Sequence, residues 1–317
     1  MTLHNNAGHL REATESILAQ TCGDFLLLML DDGSIDATEA TATEYAARDS
    51  RVRYLRHAER LGMVPTWFEV FARARELAPE APYFAWASDH DRWSPTWLST
   101  LAAELDGHPE AVLAYPLTLR IDDHGICTDK TPRLFDTAGM ADPRERWRHF
   151  CWNGVGSGDM VYGLMRARVL ERTGVFRGVR QPDRLTLAEL TLQGEIRQVQ
   201  EPLWSRREAS VASLARQRRS LFAGATPAHF NWPAPLHHAL VLRDLGVSRS
   251  MAATYVVASA WRSVRKTDAS KQLGRGVDQL HAVKKLVKKA FNHTIYYVLV
   301  GRRAVVDWAR SGFRKVG

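Results

Sequence analysis

Phe25-Leu26-Leu27-Leu28-Met29-Leu30-Asp31-Asp32-Gly33-Ser34 is an unbroken apolar run that stops at two carboxylates, a glycine and a hydroxyl. A short apolar run closed by turn residues predicts a strand buried on both faces, as in parallel sheets. Its polar end then lies at the carboxyl edge of the sheet, where loops and helix N-termini frame the ligand crevice of open α/β folds. Asp31 and Asp32 are therefore placed to hold a ligand. The same stretch also suits an ordinary strand-to-helix turn, with Ser34 or Asp36 capping the next helix.

Reading outward, residues 2–6 look like the end of a strand, and Leu10, Ala13, Ile17 and Leu18 recur at helical spacing over 8–20. A helix over 34–47 and a strand over 52–55 complete two β-α-β repeats. Helical spacing returns over 66–77, and a strand over 83–87 stops at Ser88-Asp89-His90-Asp91. In an alternating chain this acidic terminus falls on the same sheet edge as Asp31 and Asp32. Further on we expect a helix over 95–105, a strand over 111–119, an irregular segment over 121–140 and a helix starting at 142–147. A glycine-rich stretch over 154–159 suits a loop that closes over a ligand, and helices follow near 166–172 and over 181–194. Beyond Arg206 the alternation gives way to helices. Ala282, Lys284, Lys285, Lys288, Lys289 and Val298 belong to a basic amphipathic helix over 282–298.

The chain has 317 residues, a net charge of +8 and 45% hydrophobic residues, enough for one large α/β domain with an appendage. No apolar run reaches the roughly 18 to 20 residues needed to span a bilayer, and no signal-peptide pattern follows Met1. The expectation is a cytoplasmic protein. Cys22, Cys127 and Cys151 lack metal spacing and cannot all pair, so packing is their expected role. The positive charge is confined to one end, with 14 Lys and Arg against 3 Asp and Glu beyond Trp261, while the body before it is nearly neutral. With no recognition motif and no basic stripe on the α/β body, nucleic acid is not an expected partner.

Paired carboxylates at strand ends suit hydrogen bonding to a nucleoside or holding a hard cation against phosphate. No glycine-rich phosphate loop follows an early strand, which favours a metal ion as the means of neutralising a diphosphate. At this point the sequence resembles a known family. His4-Asn5, the helix ending in Ser16-Ile17-Leu18-Ala19-Gln20-Thr21, and Asp31-Asp32-Gly33-Ser34-Ile35-Asp36-Ala37-Thr38 together resemble the start of a family 2 glycosyltransferase with the GT-A fold. Ser88-Asp89-His90-Asp91-Arg92-Trp93-Ser94-Pro95 is similar to that family's acidic metal motif, and Gln181-Pro182-Asp183-Arg184-Leu185 to the segment carrying its base.

The resemblance, strong over the first hundred residues and looser to about 210, implies a Rossmann-like, mostly parallel central sheet flanked by helices, with a helical C-terminal appendage. It divides the chain into a GT-A domain over 1–210 and a basic helical region over 211–317. It implies an inverting, metal-dependent transfer from a nucleotide-diphosphate sugar to a glycan or lipid-linked hydroxyl acceptor, in cell-surface polysaccharide or glycolipid synthesis. His4, Asn5, Asp31, Asp32 and Asp89 would hold the nucleotide sugar, and Arg206 and Arg207 its diphosphate. His90 and Asp91 would bind the divalent cation, Mn²⁺ or Mg²⁺, with His90 standing where the family usually has a carboxylate. Asp183 would be the general base, with Glu189 the alternative. A lysine face over 282–303 suggests peripheral contact with the inner face of the plasma membrane, and the apolar side of the same helix equally suits packing on the main domain. The family's first strand begins several residues earlier, so either the start lies upstream or the fold is less stable. The alternative to an enzyme is an inert relative that binds a sugar nucleotide or a partner.

Overall fold

The computed structural model describes residues 1–128, 132–154, 157–208, 221, 223 and 234–266. The opening run forms β2 (Leu27–Asp31), every residue of it buried. It lies between β1 (Thr2–Leu3) and β3 (Val52–Arg56), parallel to both, with Leu3 opposite Asp31. Helices α1 (Ala7–Leu18) and α2 (Thr38–Arg48) make the crossovers. Leu10 and Ala13 of α1 and Ala42 and Tyr45 of α2 are buried with Met29 and Val52 in one apolar cluster, which explains their helical spacing.

After α3 (Met63–Leu77) the chain enters a second, mixed sheet in the order β4 (Tyr83–Phe84), β7 (Leu164–Arg166), β6 (Ala111–Ile121), β8 (Glu195–Arg207), β5 (Arg92–Trp93). β6 and β8 run parallel and the other pairs antiparallel. A single bridge, Thr2 to Ser88, links the two sheets in the parallel sense. Helices α4 (Trp97–Gly107), α5 (Pro143–Asn153), the short α6 (Ser157–Met160) and α7 (Ala167–Leu170), and α8 (Pro182–Gln193) pack around them. Finally, α9 (Ala234–Asp244) and α10 (Arg249–Lys266) lie beyond the sheet. The expected α/β, GT-A-like architecture with C-terminal helices is present.

Details differ from the sequence reading. The strand over 83–87 keeps ladder pairing only at Tyr83–Phe84, the helix expected near 166–172 is the short α7 preceded by the strand Leu164–Arg166, and neither that strand nor the 13-residue β8 had a strand signature. The helix starting at 142 runs to Asn153, with the Asp142 carboxylate accepting the Arg144 N–H at 2.9 Å as its cap. Residues 282–303, where a membrane-facing helix was expected, lie outside the described residues. Among the described residues no helix is long and apolar enough to cross a membrane.

Candidate active site

Four chain segments meet at the carboxyl edge: the ends of β1, β2 and β8, and the 88–91 loop. The first acts as the tie. The His4 backbone N–H donates to Asp89 Oδ2 at 3.2 Å, the Asn6 amide donates to Asp89 Oδ1 at 2.9 Å, and His4 Nδ1–H donates to the Asp32 carbonyl at 3.0 Å. Asn5, at φ 50, accepts from the Ile35 N–H at 2.8 Å and donates its own N–H to Ser34 Oγ at 3.0 Å. Asparagine tolerates this left-handed backbone better than most residues. His4, Asn5 and Asp89 are thus brought together, as the sequence reading expected.

Asp31 and Asp32 lie at the same edge but look inward. Asp31 Oδ1 accepts from the Ser34 N–H and hydroxyl at 2.9 and 2.6 Å, and Oδ2 accepts the Tyr54 phenol at 3.0 Å. Its side chain is fully buried, with Arg56 3.7 Å away; Arg56 also reaches Glu39 at 3.2 Å. Asp32 holds the loop after β3, accepting the N–H groups of Leu61 and Gly62 at 2.6 and 2.8 Å, with Arg60 Nε at 3.7 Å. His57 donates from Nδ1 to Asp32 at 3.1 Å and from Nε2 to Glu69 at 3.0 Å. Two donated bonds require the imidazolium, and the Asp32 hydrogen bond raises the His57 pKa despite burial. Burial acts to raise Asp32, but the His57, Leu61 and Gly62 bonds outweigh it and hold this carboxyl below its usual range. This clamp carried no signal in the sequence, because His57 sits in an unremarkable polar segment.

The 88–91 loop supplies the donor groups. Asp89 Oδ1 accepts His90 Nδ1–H at 2.7 Å, which leaves Nε2 with a free lone pair. That nitrogen is 3.9 Å from Asp91 Oδ1. Burial pulls the His90 pKa down, but the Asp89 bond and the charges of Asp91 and Asp89 raise it overall. Burial pushes the Asp91 carboxyl up, opposed by His90, Ser88, the Arg207 N–H and Arg206. A buried carboxylate held up in this way, beside an imidazole oriented by a second carboxylate, suits a divalent cation. No group of three or more His, Cys, Asp or Glu among the described residues could enclose a metal by itself. His90 Nε2 and Asp91 Oδ1, 3.9 Å apart, are the two groups here whose chemistry suits a cation.

At the end of β8 the two arginines part company. Arg207 is buried, its N–H donating to Asp91 Oδ1 at 2.8 Å and its guanidinium to the carbonyls of His90 and Asp122 at 2.9 and 2.6 Å and to Glu12. It braces the acidic loop. Arg206 remains one-third exposed and donates to Asp159 at 2.9 Å, a carboxylate that Arg120 also holds at 2.6 and 2.8 Å. Asp159 closes the glycine-rich stretch singled out in the sequence, although its pairing with β6 and β8 was not readable there.

Asp183 sits in the first turn of α8. The position before the helix is Gln181, left-handed at φ 53, with no side-chain cap, so Asp183 is not the helix cap. Its carboxylate makes no hydrogen bond among the described residues. Burial raises the Tyr162 phenol, and the charges of Asp91, Asp89 and Asp183 add to this while Arg206 opposes it. One phenol thus lies in the field of both the acidic loop and α8. Glu189 faces elsewhere, accepting from the Arg177 guanidinium at 2.9 and 3.0 Å and from the Gly174 N–H at 2.9 Å. Trp86, Trp93 and Trp97 are buried, and with Phe25 they line an apolar cavity of about 360 Å³ away from these carboxylates, while Trp152 is 41% exposed.

Residues 1–155 match the family described as Glycosyl transferase family 2. Among solved structures, S. aureus TarS shares 12% identity across 98% of this chain and 52% of its own, at a TM-score of 0.59. TarS 1-349 shares 13% identity at a TM-score of 0.60, covering 98% of this chain and 85% of its own. TarS 1-349 in complex with UDP gives 12%, 98%, 85% and 0.59 for the same measures. The present chain spans about half the length of the full TarS chain. At such identity the likeness is one of fold.

Proposed function

We propose, with the family 2 glycosyltransferase match of residues 1–155 as premise, that this chain catalyses inverting transfer of a sugar from a nucleotide-diphosphate sugar to a hydroxyl acceptor. The observation that carries the reading is the division of labour at the sheet edge. Asp89 is hydrogen-bonded to the half-buried His90, whose ring lies 3.9 Å from the buried Asp91, whereas Asp183 is free of hydrogen bonds among the described residues and adds its charge to theirs at the Tyr162 phenol.

In this reading Nε2 of His90 and the Asp91 carboxylate would hold a divalent cation, with Asp89 orienting the imidazole. The cation, when bound, would supply positive charge against the leaving diphosphate. Arg206, kept extended by Asp159, faces the same phosphates with its remaining N–H groups. His4, Asn5 and the loop clamped by Asp32 frame the nucleoside. Arg207 and Asp31 contribute by holding those loops in place rather than by touching the donor. Asp183 takes the proton from the acceptor hydroxyl as the new bond forms, which requires a carboxylate across the sugar from the leaving group.

UDP with its sugars is the first donor class to try, since one structural neighbour is solved with UDP. The test is a screen of UDP, GDP and dTDP sugars, each with and without Mn²⁺, read by thermal stabilisation and by release of nucleoside diphosphate. Stabilisation by one nucleotide class together with turnover is expected. Full turnover in excess EDTA would overturn the metal assignment, and the absence of stabilisation by every nucleotide would overturn the function.

A further inference from the structure

α10 rests against α5, where Trp147 Nε1–H donates to the Met251 carbonyl at 3.1 Å and the Trp147 and Tyr255 rings lie 5.8 Å apart. Beside Tyr255 is His238 of α9, which is 1% exposed. Its ring joins three segments, with Nε2 2.6 Å from the Arg180 carbonyl oxygen and Nδ1 2.7 Å from the Tyr255 hydroxyl. A carbonyl can only accept, so Nε2 carries the proton and Nδ1 accepts from the phenol. Burial keeps the ring neutral, with its pKa lowered to about 4, so this arrangement persists at ordinary pH.

The place where the chain of bonds ends gives it a functional meaning. Arg180 is followed by Gln181 in the left-handed region, then by Pro182, which has no N–H to donate, and then by Asp183. A left-handed glutamine is strained and persists only where its surroundings hold it. On the other side of Asp183, Arg184 donates to the Gly154 carbonyl at 3.0 Å and lies 5.0 Å over the Phe150 ring. The turn carrying Asp183 is therefore gripped on both sides while its carboxylate stays unengaged.

We propose that His238 is a positioning residue for the transfer reaction: with Tyr255 it fixes the Arg180 peptide and so aims the Asp183 carboxylate. The inference rests on the assignment of Asp183 as the base. It makes the C-terminal helices part of the catalytic apparatus, at a distance from the nucleotide.

The test uses the full chain with the donor selected by the screen, and the matching nucleoside diphosphate as the binding probe. Tyr255→Phe keeps the ring and removes only the phenol, so it guards against a His238 variant that fails to fold. It should lower kcat about 10-fold, and His238→Leu about 100-fold, since sub-ångström to ångström misplacement of a reacting group has effects of that size. KM for the donor and affinity for the nucleoside diphosphate should stay within about twofold of the parent. His238→Gln, whose amide can still donate to Arg180, should recover most of the loss. In the His238→Leu background Asp183→Asn should add little, because both act on one step. The inference is overturned if kcat is unchanged, if nucleotide affinity falls as far as turnover, or if the two losses are fully additive. A parent chain that binds nucleotide but shows no turnover overturns the assignment of the base and this inference with it. A parent that binds no nucleotide overturns the function itself.

Discussion

Asp183 and Glu189 stand six residues apart, and the sequence alone offered both as bases. Their surroundings separate them. Glu189 is 8% exposed at its side chain and paired with Arg177, whereas Asp183, in the first turn of its helix, has no hydrogen-bond or ion-pair partner among the described residues. Asp183→Asn should cut turnover about 10³-fold with little change in melting temperature, general-base effects reaching 10² to 10⁴. Glu189→Gln should leave turnover near the parent value and cost about 1 to 3 kcal/mol of stability through its buried hydrogen bonds. Denaturant melts and initial rates on the same samples decide between them, and the opposite pattern would reverse the assignment. The same contrast explains what was legible at this scale. Asp89, His90 and Asp91 announce themselves as polar residues ending an apolar strand. That Arg207 is spent on Glu12 and two carbonyls while Arg206 stays partly exposed depends on contacts spanning up to 195 residues of chain, which no local pattern encodes.

The loop after β3 and the turn after β2 behave as one element. Gly33 has φ +69, and a Cβ there would sit 3.0 Å from the Arg60 backbone nitrogen. Gly33→Ala combines left-handed strain with that contact and should destabilise by about 1 to 2 kcal/mol, checked by urea melts. The Asp32–His57–Glu69 clamp makes a pH prediction. The His57 pKa is raised above 6.5, so its contribution is complete below that value and disappears as pH rises through the raised one. Asp32 is lowered below 3.8, so its contribution is present above 3.8 and lost as pH falls through the lowered value. Glu69, Arg60 and Arg73 are the other charges facing the pair. His57→Gln should flatten the alkaline decline of melting temperature while leaving the acid limb in place; an unchanged alkaline slope would remove His57 from the clamp. Among elements, the β-α-β start was readable because its apolar spacing is simple. β8 was not, since Glu195, Gln198 and Arg207 interrupt the apolar pattern and draw on distant partners, such as the Gly139 N–H on Glu195 and the Arg133 carbonyl on Gln198.

At the scale of the whole molecule, two sheets meet along β1, and the C-terminal helices lean on α5 and hold the turn that leads into the helix carrying Asp183. The first half of this plan follows from alternating strands and helices. The second depends on pairings such as β6 with β8, about 80 residues apart in the chain, which periodicity cannot supply. One trait of the cleft becomes visible only when its arginines are viewed together. Arg56 is matched by Asp31 and Glu39, Arg60 by Asp32, Arg120 and Arg206 by Asp159, and Arg207 by Glu12. With Asp89, Asp91 and Asp183 beside these matched arginines, the cleft has no surplus positive charge with which to pull on a distant anion, so there is no attraction for added salt to screen. The rate at which a nucleotide sugar arrives should therefore change less than about threefold between 20 and 500 mM salt in stopped-flow measurements, a range over which steered association falls steeply. Capture would then depend on charge the ligand brings with it, the donor entering as an already balanced ion complex rather than being drawn in as a bare diphosphate.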